Sequence, residues 1–165
     1  MFDIRAAKEC DVERMRALNI ACLSENYPKS FWKSQFKSAP HFVAVPTNQD
    51  TYSRNIVGYI AVMPHPSVNN ALMIYSIAVR PQCRRNGIAR RLLQKLIDYL
   101  QSKFAKLIEQ SKFANLQICK VTLNVRVDNL AAISLYKEVG FVVTSTQENY
   151  YADNGSAHEM ILDLQ

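Results

Sequence analysis

The chain has 165 residues, enough for one domain with its own core, and its 48% hydrophobic and 21% charged composition excludes wholesale disorder. Lys and Arg number 20 against 14 Asp and Glu, a net charge of +6 that suits an anionic partner, nucleic acid or phosphorylated ligand. No stretch reaches the ~18 apolar residues of a membrane span, and Met1-Phe2-Asp3-Ile4-Arg5 meets charge too early for a secretory signal. Cys10, Cys22, Cys83 and Cys119 form no CxxC pair, and His41, His65 and His158 are scattered, so no metal site is expected. These features predict a single cytoplasmic domain over residues 1–165.

In chain order, Phe2–Ala6 reads as a short strand. Val12, Met15, Leu18, Ile20 and Cys22/Leu23 recur at helical spacing, which predicts a helix with those residues inward. Asn26-Tyr27-Pro28 interrupts it, because a residue before proline disfavours helical dihedrals. Ser30 is a fitting cap for a second short helix carrying Phe31, Trp32 and Phe36. Three strands follow, His41–Val45, Ile56–Met63 and Ala71–Val79, separated by polar turns at Asn48-Gln49-Asp50 and Pro64-His65-Pro66. The strongest helix runs from about Gly87 to Gln110, with Ile88, Leu92, Leu96, Leu100, Phe104 and Leu107/Ile108 on one stripe. Cys119–Val127 alternates, Val121, Leu123, Val125 and Val127 facing one way and Thr122, Asn124 and Arg126 the other. A short helix over Asn129–Glu138 is stopped by Gly140, and Phe141–Thr146 and Glu159–Leu164 are closing strands. The order β-α-α-β-β-β-α-β-α-β-β predicts an α/β domain on a mixed sheet.

The segment Ile77-Ala78-Val79-Arg80-Pro81-Gln82-Cys83-Arg84-Arg85-Asn86-Gly87-Ile88-Ala89 holds the most chemistry. A strand ends, a basic turn follows, and Gly87 leads into the long helix. A helix N-terminus leaves backbone N–H groups without internal partners and carries partial positive charge. Glycine allows close approach of the backbone and arginine adds charge-assisted contacts, so this junction is a candidate phosphate cradle. By spacing alone, a basic surface turn before an amphipathic helix fits equally well.

Arg84-Arg85-Asn86-Gly87-Ile88-Ala89 resembles the Q/R-x-x-G-x-G/A signature of the GNAT acetyltransferases, and Ser76-Ile77-Ala78-Val79-Arg80-Pro81 before it resembles the family's fourth strand and its exit. A second block, Asn124-Val125-Arg126-Val127-Asp128-Asn129-Leu130-Ala131-Ala132-Ile133-Ser134-Leu135-Tyr136-Lys137-Glu138-Val139-Gly140-Phe141, is similar to the family's N-x-x-A-x-x-L-Y-x-x-x-G-F region. Two outer segments narrow the likeness to N-terminal acetyltransferases. Leu23-Ser24-Glu25-Asn26-Tyr27-Pro28 resembles the substrate loop of the catalytic subunit of the major eukaryotic and archaeal enzyme. Asn149-Tyr150-Tyr151-Ala152-Asp153 resembles the paired-tyrosine hairpin that these enzymes share with the bacterial ribosomal-protein-alanine acetyltransferases.

The resemblance implies a GNAT fold: a mixed, mostly antiparallel sheet of about seven strands with about four helices, splayed at strands 4 and 5. It implies acetyl-CoA as donor and the free α-amino group of a protein or peptide as acceptor. The backbone of Ile77, Ala78 and Val79 would bind the pantetheine arm, Arg84, Arg85, Asn86, Gly87, Ile88, Ala89 and Arg90 the phosphates, and Asn129 the cofactor from the second block. Tyr136 matches the family tyrosine beside the departing thiolate and is assigned as general acid, with simple packing on the sheet as the alternative. Asn124 stands where bacterial relatives have Glu and some eukaryotic ones His, and an amide takes no proton, so it serves only to orient water or peptide. Glu25 becomes the leading base candidate and Tyr75 a lesser one, Met73 standing where one relative has a catalytic tyrosine. Leu23, Glu25, Tyr27, Tyr150 and Tyr151 are assigned to the peptide groove.

Other readings stay open: a GNAT enzyme acting on lysine side chains or a small amine, or a silent acetyl-CoA-binding or ribosome-associated module. An ε-amino group, with a pKa above ~10, demands a stronger base than Asn124 supplies. The aromatics form no nucleic-acid stacking platform, so no specific nucleic acid is expected. A ribosome or an auxiliary subunit is a possible partner of an expected monomer. The stretch Gln101–Gln117 is longer than in bacterial relatives and carries no assigned role.

Overall fold

The computed structural model describes residues 1–47, 55–109 and 119–164. Among them the elements are β1 (Phe2–Ala6), α1 (Val12–Cys22), α2 (Lys29–Phe36), β2 (Phe42–Pro46), β3 (Gly58–Pro64), β4 (Ala71–Val79), α3 (Ile88–Glu109), β5 (Lys120–Arg126), α4 (Leu130–Val139), β6 (Val142–Gln147) and β7 (Ala157–Asp163). Short 3-10 turns at Glu9–Asp11 and Pro81–Cys83 precede α1 and α3. The predicted turn at Asn48-Gln49-Asp50, the side chains of Phe104, Leu107 and Ile108, and the stretch from 110 to 118 lie outside the described residues.

The seven strands form one sheet in the order β1-β2-β3-β4-β5-β7-β6. β1–β2, β2–β3, β5–β7 and β6–β7 are antiparallel. β4 and β5 are parallel, in register from Ala71↔Lys120 to Ile74↔Leu123. A parallel pair needs a long crossover, and α3 supplies it. This is the GNAT fold expected above.

The chain divides into two compact units, Met1–Met63 with Ser76–Asp98, and Pro64–Tyr75 with Tyr99–Gln165. In the first, Val12, Met15, Leu18 and Trp32 of the two short helices are buried, as are Val43, Tyr59, Ile60 and Val62 of the strands and Leu92, Leu93 and Leu96 of α3. In the second, Leu72 and Ile74, then Val121, Leu123 and Val125, then Ile133, Phe141 and Met160 make the core.

Three local expectations are corrected. Ile20 is 51% exposed, and the inward position it was given belongs to Asn19. Val12, Met15 and Asn19 follow the 3.6-residue turn, and Ile20 lies about 100° further round. Ser30 caps nothing: α2 starts at Lys29, with Pro28 as N-cap in extended geometry (φ −64°, ψ 156°). Val121 and Leu123 on one face of β5 and Thr122 on the other are all buried, so the polar identity of Thr122 did not mark a solvent-facing position. β7 begins at Ala157, two residues earlier than predicted, since Ala157 and His158 pair with Arg126 and Val125.

Two buried polar groups hold the first unit. The Asp11 carboxylate accepts from Arg5 Nη1 at 2.6 Å and from the Lys8 N–H at 2.8 Å. Burial pulls its pKa upward, but those bonds outweigh it and the net shift is down. His41 Nδ1 accepts the Val62 N–H at 3.2 Å, so Nε2 carries the proton and donates to the Gln35 carbonyl at 3.2 Å. Burial lowers the His41 pKa to about 4, and the ring stays neutral.

Candidate active site

The junction that leaves β4 is braced by its own side chains. Arg80 Nε donates to the Ile56 carbonyl at 3.0 Å, and Arg84 Nε turns back to the Val79 carbonyl at 3.1 Å. Asn86 Nδ2 closes the turn on the carbonyls of Cys83 (3.2 Å) and Arg84 (3.0 Å). Val79, Arg84 and Asn86, all assigned to the cofactor from sequence, thus spend part of their hydrogen-bonding capacity on the turn itself. Arg85 and Gly87 adopt left-handed φ of 61° and 72°. Glycine takes that conformation without the steric cost of a side chain.

At Gly87 a Cβ would meet nothing within 4 Å, so its backbone fronts open space. The first helical bond of α3 runs from the Arg91 N–H to the Gly87 carbonyl at 3.0 Å, so the N–H groups of Ile88 and Ala89 precede the ladder. Arg84, Arg85 and Arg90 are exposed around this end, while Ile88 is buried and anchors it. Open glycine, helix N-terminus and arginines together suit a diphosphate. Gly58, on which sequence reasoning was silent, makes the junction possible: a Cβ there would come within 3.1 Å of the Ala78 carbonyl oxygen and of Ile88 Cγ2.

The C-terminal half of α1 is tied to the same strand. Asn19 Nδ2 donates to Ser76 Oγ at 3.1 Å, and Ser76 Oγ lies 2.6 Å from Tyr59 Oη, all three residues being buried. Burial raises the Tyr59 pKa, so it remains a neutral hydroxyl. Cys22 Sγ lies 3.9 Å from the Val79 carbonyl oxygen. Beyond it Leu23, Glu25 and Tyr27 are half-buried. Ser24 Oγ donates to Glu25 Oε1 at 3.0 Å, and Tyr27 stacks on Phe31 with centroids 4.6 Å apart.

In the second unit, β5 and the turn between β6 and β7 make a second cluster. Asn124 Nδ2 donates to Tyr150 Oη at 3.0 Å. Two residues on, and so on the same face of the strand, Arg126 lies 4.0 Å from the Tyr151 ring centroid. Its Nη1 also bonds both Asp153 carboxylate oxygens, at 3.0 and 3.2 Å. That pair holds the Asp153 carboxyl below its usual range. Tyr150 and Tyr151 pack edge to face at 4.9 Å. Gly155 leaves room for this: a Cβ there would fall 2.6 Å from Arg126 Nη1.

Tyr136, on α4, is 7% exposed with its ring 5.9 Å from that of Phe141. Burial, with Tyr151 nearby, raises its pKa, so the phenol keeps its proton. Gly140 caps α4 at φ 108°, and the Phe141 N–H returns to the Tyr136 carbonyl at 3.0 Å. Asn129 is the N-cap of α4, its Oδ1 accepting from Ala132 N–H at 3.2 Å, which leaves only its Nδ2 for a ligand. Tyr75 is half-buried with its hydroxyl covered.

Residues 12–141 match the Acetyltransferase (GNAT) family. The chain belongs to that family. It is 33% identical over 176 residues to an N-alpha-acetyltransferase of Sulfurisphaera tokodaii, covering 99% of this chain and 93% of the relative. It is 32% identical over 167 residues to the N-terminal acetyltransferase A complex catalytic subunit NAA10 of Arabidopsis thaliana, covering 100% and 79%. The crystal structure of the ribosomal-protein-S18-alanine N-acetyltransferase from Escherichia coli has the same fold, with a TM-score of 0.79 at 22% identity over 100% of this chain and 95% of that one.

Within this GNAT chain the first unit contains Leu23, Glu25, Tyr27 and the junction from Ile77 to Arg90, and the second brings together Asn124, Tyr136, Tyr150 and Tyr151. Residues without a motif were missed: Gly58, the Asn19–Ser76–Tyr59 group, and the Arg126–Asp153–Gly155 group. For the last, a signal existed. Strand alternation placed Arg126 beside Asn124, and Asp153-Asn154-Gly155 is a turn sequence. Among the described residues no group of His, Cys, Asp or Glu could hold a metal, and no helix is long and apolar enough to cross a membrane.

Proposed function

We propose that the chain transfers the acetyl group of acetyl-CoA to the free α-amino group at the end of a protein or peptide. The observation that carries this reading is the junction at Gly87: an open glycine at φ 72° leading into a 22-residue helix, with exposed arginines around it. It fits a donor with a diphosphate, and relatives of nearly full length that act as N-alpha-acetyltransferases supply the acceptor. Phosphates rest on the N–H groups at the start of α3 and on Arg84, Arg85 and Arg90, and the β4 backbone at Ile77, Ala78 and Val79 takes the pantetheine arm. These contacts place the thioester for attack.

An α-amino group has a pKa near 8, so a fraction is neutral at physiological pH and a modest base suffices. Its nitrogen attacks the thioester carbonyl, the C–S bond breaks, and the departing sulfur is steadied by a hydrogen bond from Tyr136. Because burial raises the Tyr136 pKa well above that of an ordinary thiol, the phenol donates a hydrogen bond more readily than a proton. Glu25 acts as base, and Leu23, Tyr27, Tyr150 and Tyr151 line the path of the peptide. The chain works as a single catalytic domain and as a monomer in a reducing cytoplasm, a setting that its four free cysteines support. The positive balance of charge favours work near the anionic ribosome, with or without an auxiliary subunit.

The test is acetyl transfer from labelled acetyl-CoA to short peptides that differ at residue one, each with a free or a blocked N-terminus. Label on free-ended peptides alone is the expected result. Label that persists on blocked peptides carrying lysine overturns the choice of acceptor.

A further inference from the structure

One amide of the first unit joins two segments that the proposed reaction uses. Asn19 is 1% exposed on α1. Its side-chain Nδ2 donates to Ser76 Oγ on β4 at 3.1 Å, and Ser76 Oγ lies 2.6 Å from the buried Tyr59 Oη. Its main-chain carbonyl accepts the Leu23 N–H at 2.9 Å, where α1 gives way to extended backbone (Leu23 φ −130°, ψ 146°). The same residue therefore holds both β4 and the first residue of loop 23–27. Cys22 Sγ, 3.9 Å from the Val79 carbonyl oxygen, adds a weaker contact between α1 and β4. Burial dominates the rise in the Tyr59 pKa, and Cys22 and Tyr27 add to it, so the tyrosine of the loop lies near this group.

Stability does not account for the amide. Asn19 Oδ1 is buried without a hydrogen-bond partner, and such an atom costs free energy. An apolar side chain of the same shape would avoid that cost, as Val12, Met15 and Leu18 do elsewhere on the buried face of α1. Apolar packing lacks direction, however, and tolerates small slides of a helix over a sheet. A hydrogen bond is met only within a narrow range of distance and angle. Fixing a register is the best-attested use of a buried polar group kept at the expense of stability.

We propose that Asn19 is a positioning residue for acetyl transfer: by pinning the end of α1 to Ser76, it sets where loop 23–27 holds Glu25 against the donor strand. The inference rests on the acetyl transfer proposed above, in which Glu25 is the base and the β4 backbone at Ile77, Ala78 and Val79 takes the pantetheine arm. Loop, bridge and strand end all belong to the first unit. Asn19 acts only through the loop. Without its bond to Ser76, α1 is free to slide on β4, and the base drifts from the thioester while the strand keeps its hold on the donor. The effect therefore belongs in kcat and not in the affinity for acetyl-CoA.

Asn19→Leu keeps the shape and removes the bond, and Ser76→Ala removes it from the other side by deleting one oxygen. Rates are taken per acetyl-CoA-binding molecule, counted by calorimetry, so that any unfolded fraction drops out. We expect each variant to lower kcat with a free-ended peptide about 10- to 30-fold, less than the about 100-fold that a full 1 Å misplacement costs. The Kd for acetyl-CoA should stay within about twofold of wild type. The two changes together should cost no more than the worse one alone, since both break a single bond. Asn19→Leu added to Glu25→Gln should cost little beyond Glu25→Gln, because the amide works by placing that carboxylate. Full kcat per binding molecule in either single variant, whatever its Tm, overturns the proposal and leaves the acetyl-transfer reading standing. So do losses from Asn19→Leu and Glu25→Gln that simply multiply. A wild-type protein that labels no free-ended peptide overturns both.

Discussion

The donor junction and the acceptor hairpin solve different problems with different materials. Between Val79 and Arg90 the working surface is backbone: a left-handed glycine, the first N–H groups of α3, and side chains such as Arg84 and Asn86 that brace the turn. Around Tyr150 and Tyr151 the surface is aromatic, and its placement depends on side chains of another strand, Asn124 bonded to the hydroxyl of one ring and Arg126 against the face of the other. A phosphate group is the same in every donor molecule, so fixed backbone dipoles suffice for it. A peptide end varies, and the proposed groove would meet it with rings held through a hydrogen bond and a cation–π contact that single substitutions can change.

Substitutions separate the two regions. The largest effect is expected for Tyr136→Phe, which removes the hydroxyl proposed to steady the leaving sulfur. Its kcat should drop about 100-fold with KM for acetyl-CoA unchanged, as steady-state kinetics would show. Gly87→Val comes next. A β-branched residue at φ 72° is strained and puts a side chain where the diphosphate would approach, so KM for acetyl-CoA should rise about 30-fold while peptide KM holds. Gly155→Ala tests the acceptor side. Its methyl group would displace the guanidinium of Arg126 rather than backbone, so peptide KM should rise about fivefold, with acetyl-CoA KM and Tm little changed. If Gly155→Ala raised both KM values equally, the contrast between the regions would be lost.

The smallest effect on turnover belongs to acid titration of the scaffold, which serves as the control. His41 has a pKa of about 4 in the fold against 6.5 unfolded, so the unfolded chain binds the proton more readily. The stability this ring contributes is complete above about pH 6.5 and is lost as pH falls toward 4, about 2 kcal/mol of it by pH 5. Asp11, whose pKa is depressed, loses its contribution at lower pH still. Urea midpoints measured from pH 8 to pH 5 should fall for the wild type and stay flatter for His41→Asn, whose amide can accept from Val62 and donate to Gln35.

What sequence made legible was whatever depends on local pattern. Period two marked β5, polar turns bounded β4, period 3.6 marked α3, and Gly87 and Gly140 fell where the helices begin and end. What stayed hidden depends on pairing across the chain. Nothing near Gly58 announces that Ala78 and Ile88 will crowd it. Alternation along β5 separates its two faces but does not say that Thr122, on the polar side, is as buried as Leu123 on the other. Asn19 lost its inward place to Ile20 for a related reason. A buried amide is unexpected until its partner Ser76, 57 residues away, is known. The cofactor motif was read as ligand contacts, whereas Arg84 and Asn86 also serve as internal struts.

Gly58 has one more consequence. With a Cβ contact of only 3.1 Å on each of two neighbours, any larger residue would act as a wedge between β3 and the origin of α3. Even alanine would require the Ala78 carbonyl and the Ile88 side chain to give by a few tenths of an ångström. If the donor binds at this junction as proposed, its grip is set from below by Gly58, and a side chain there should weaken donor binding before it unfolds the protein.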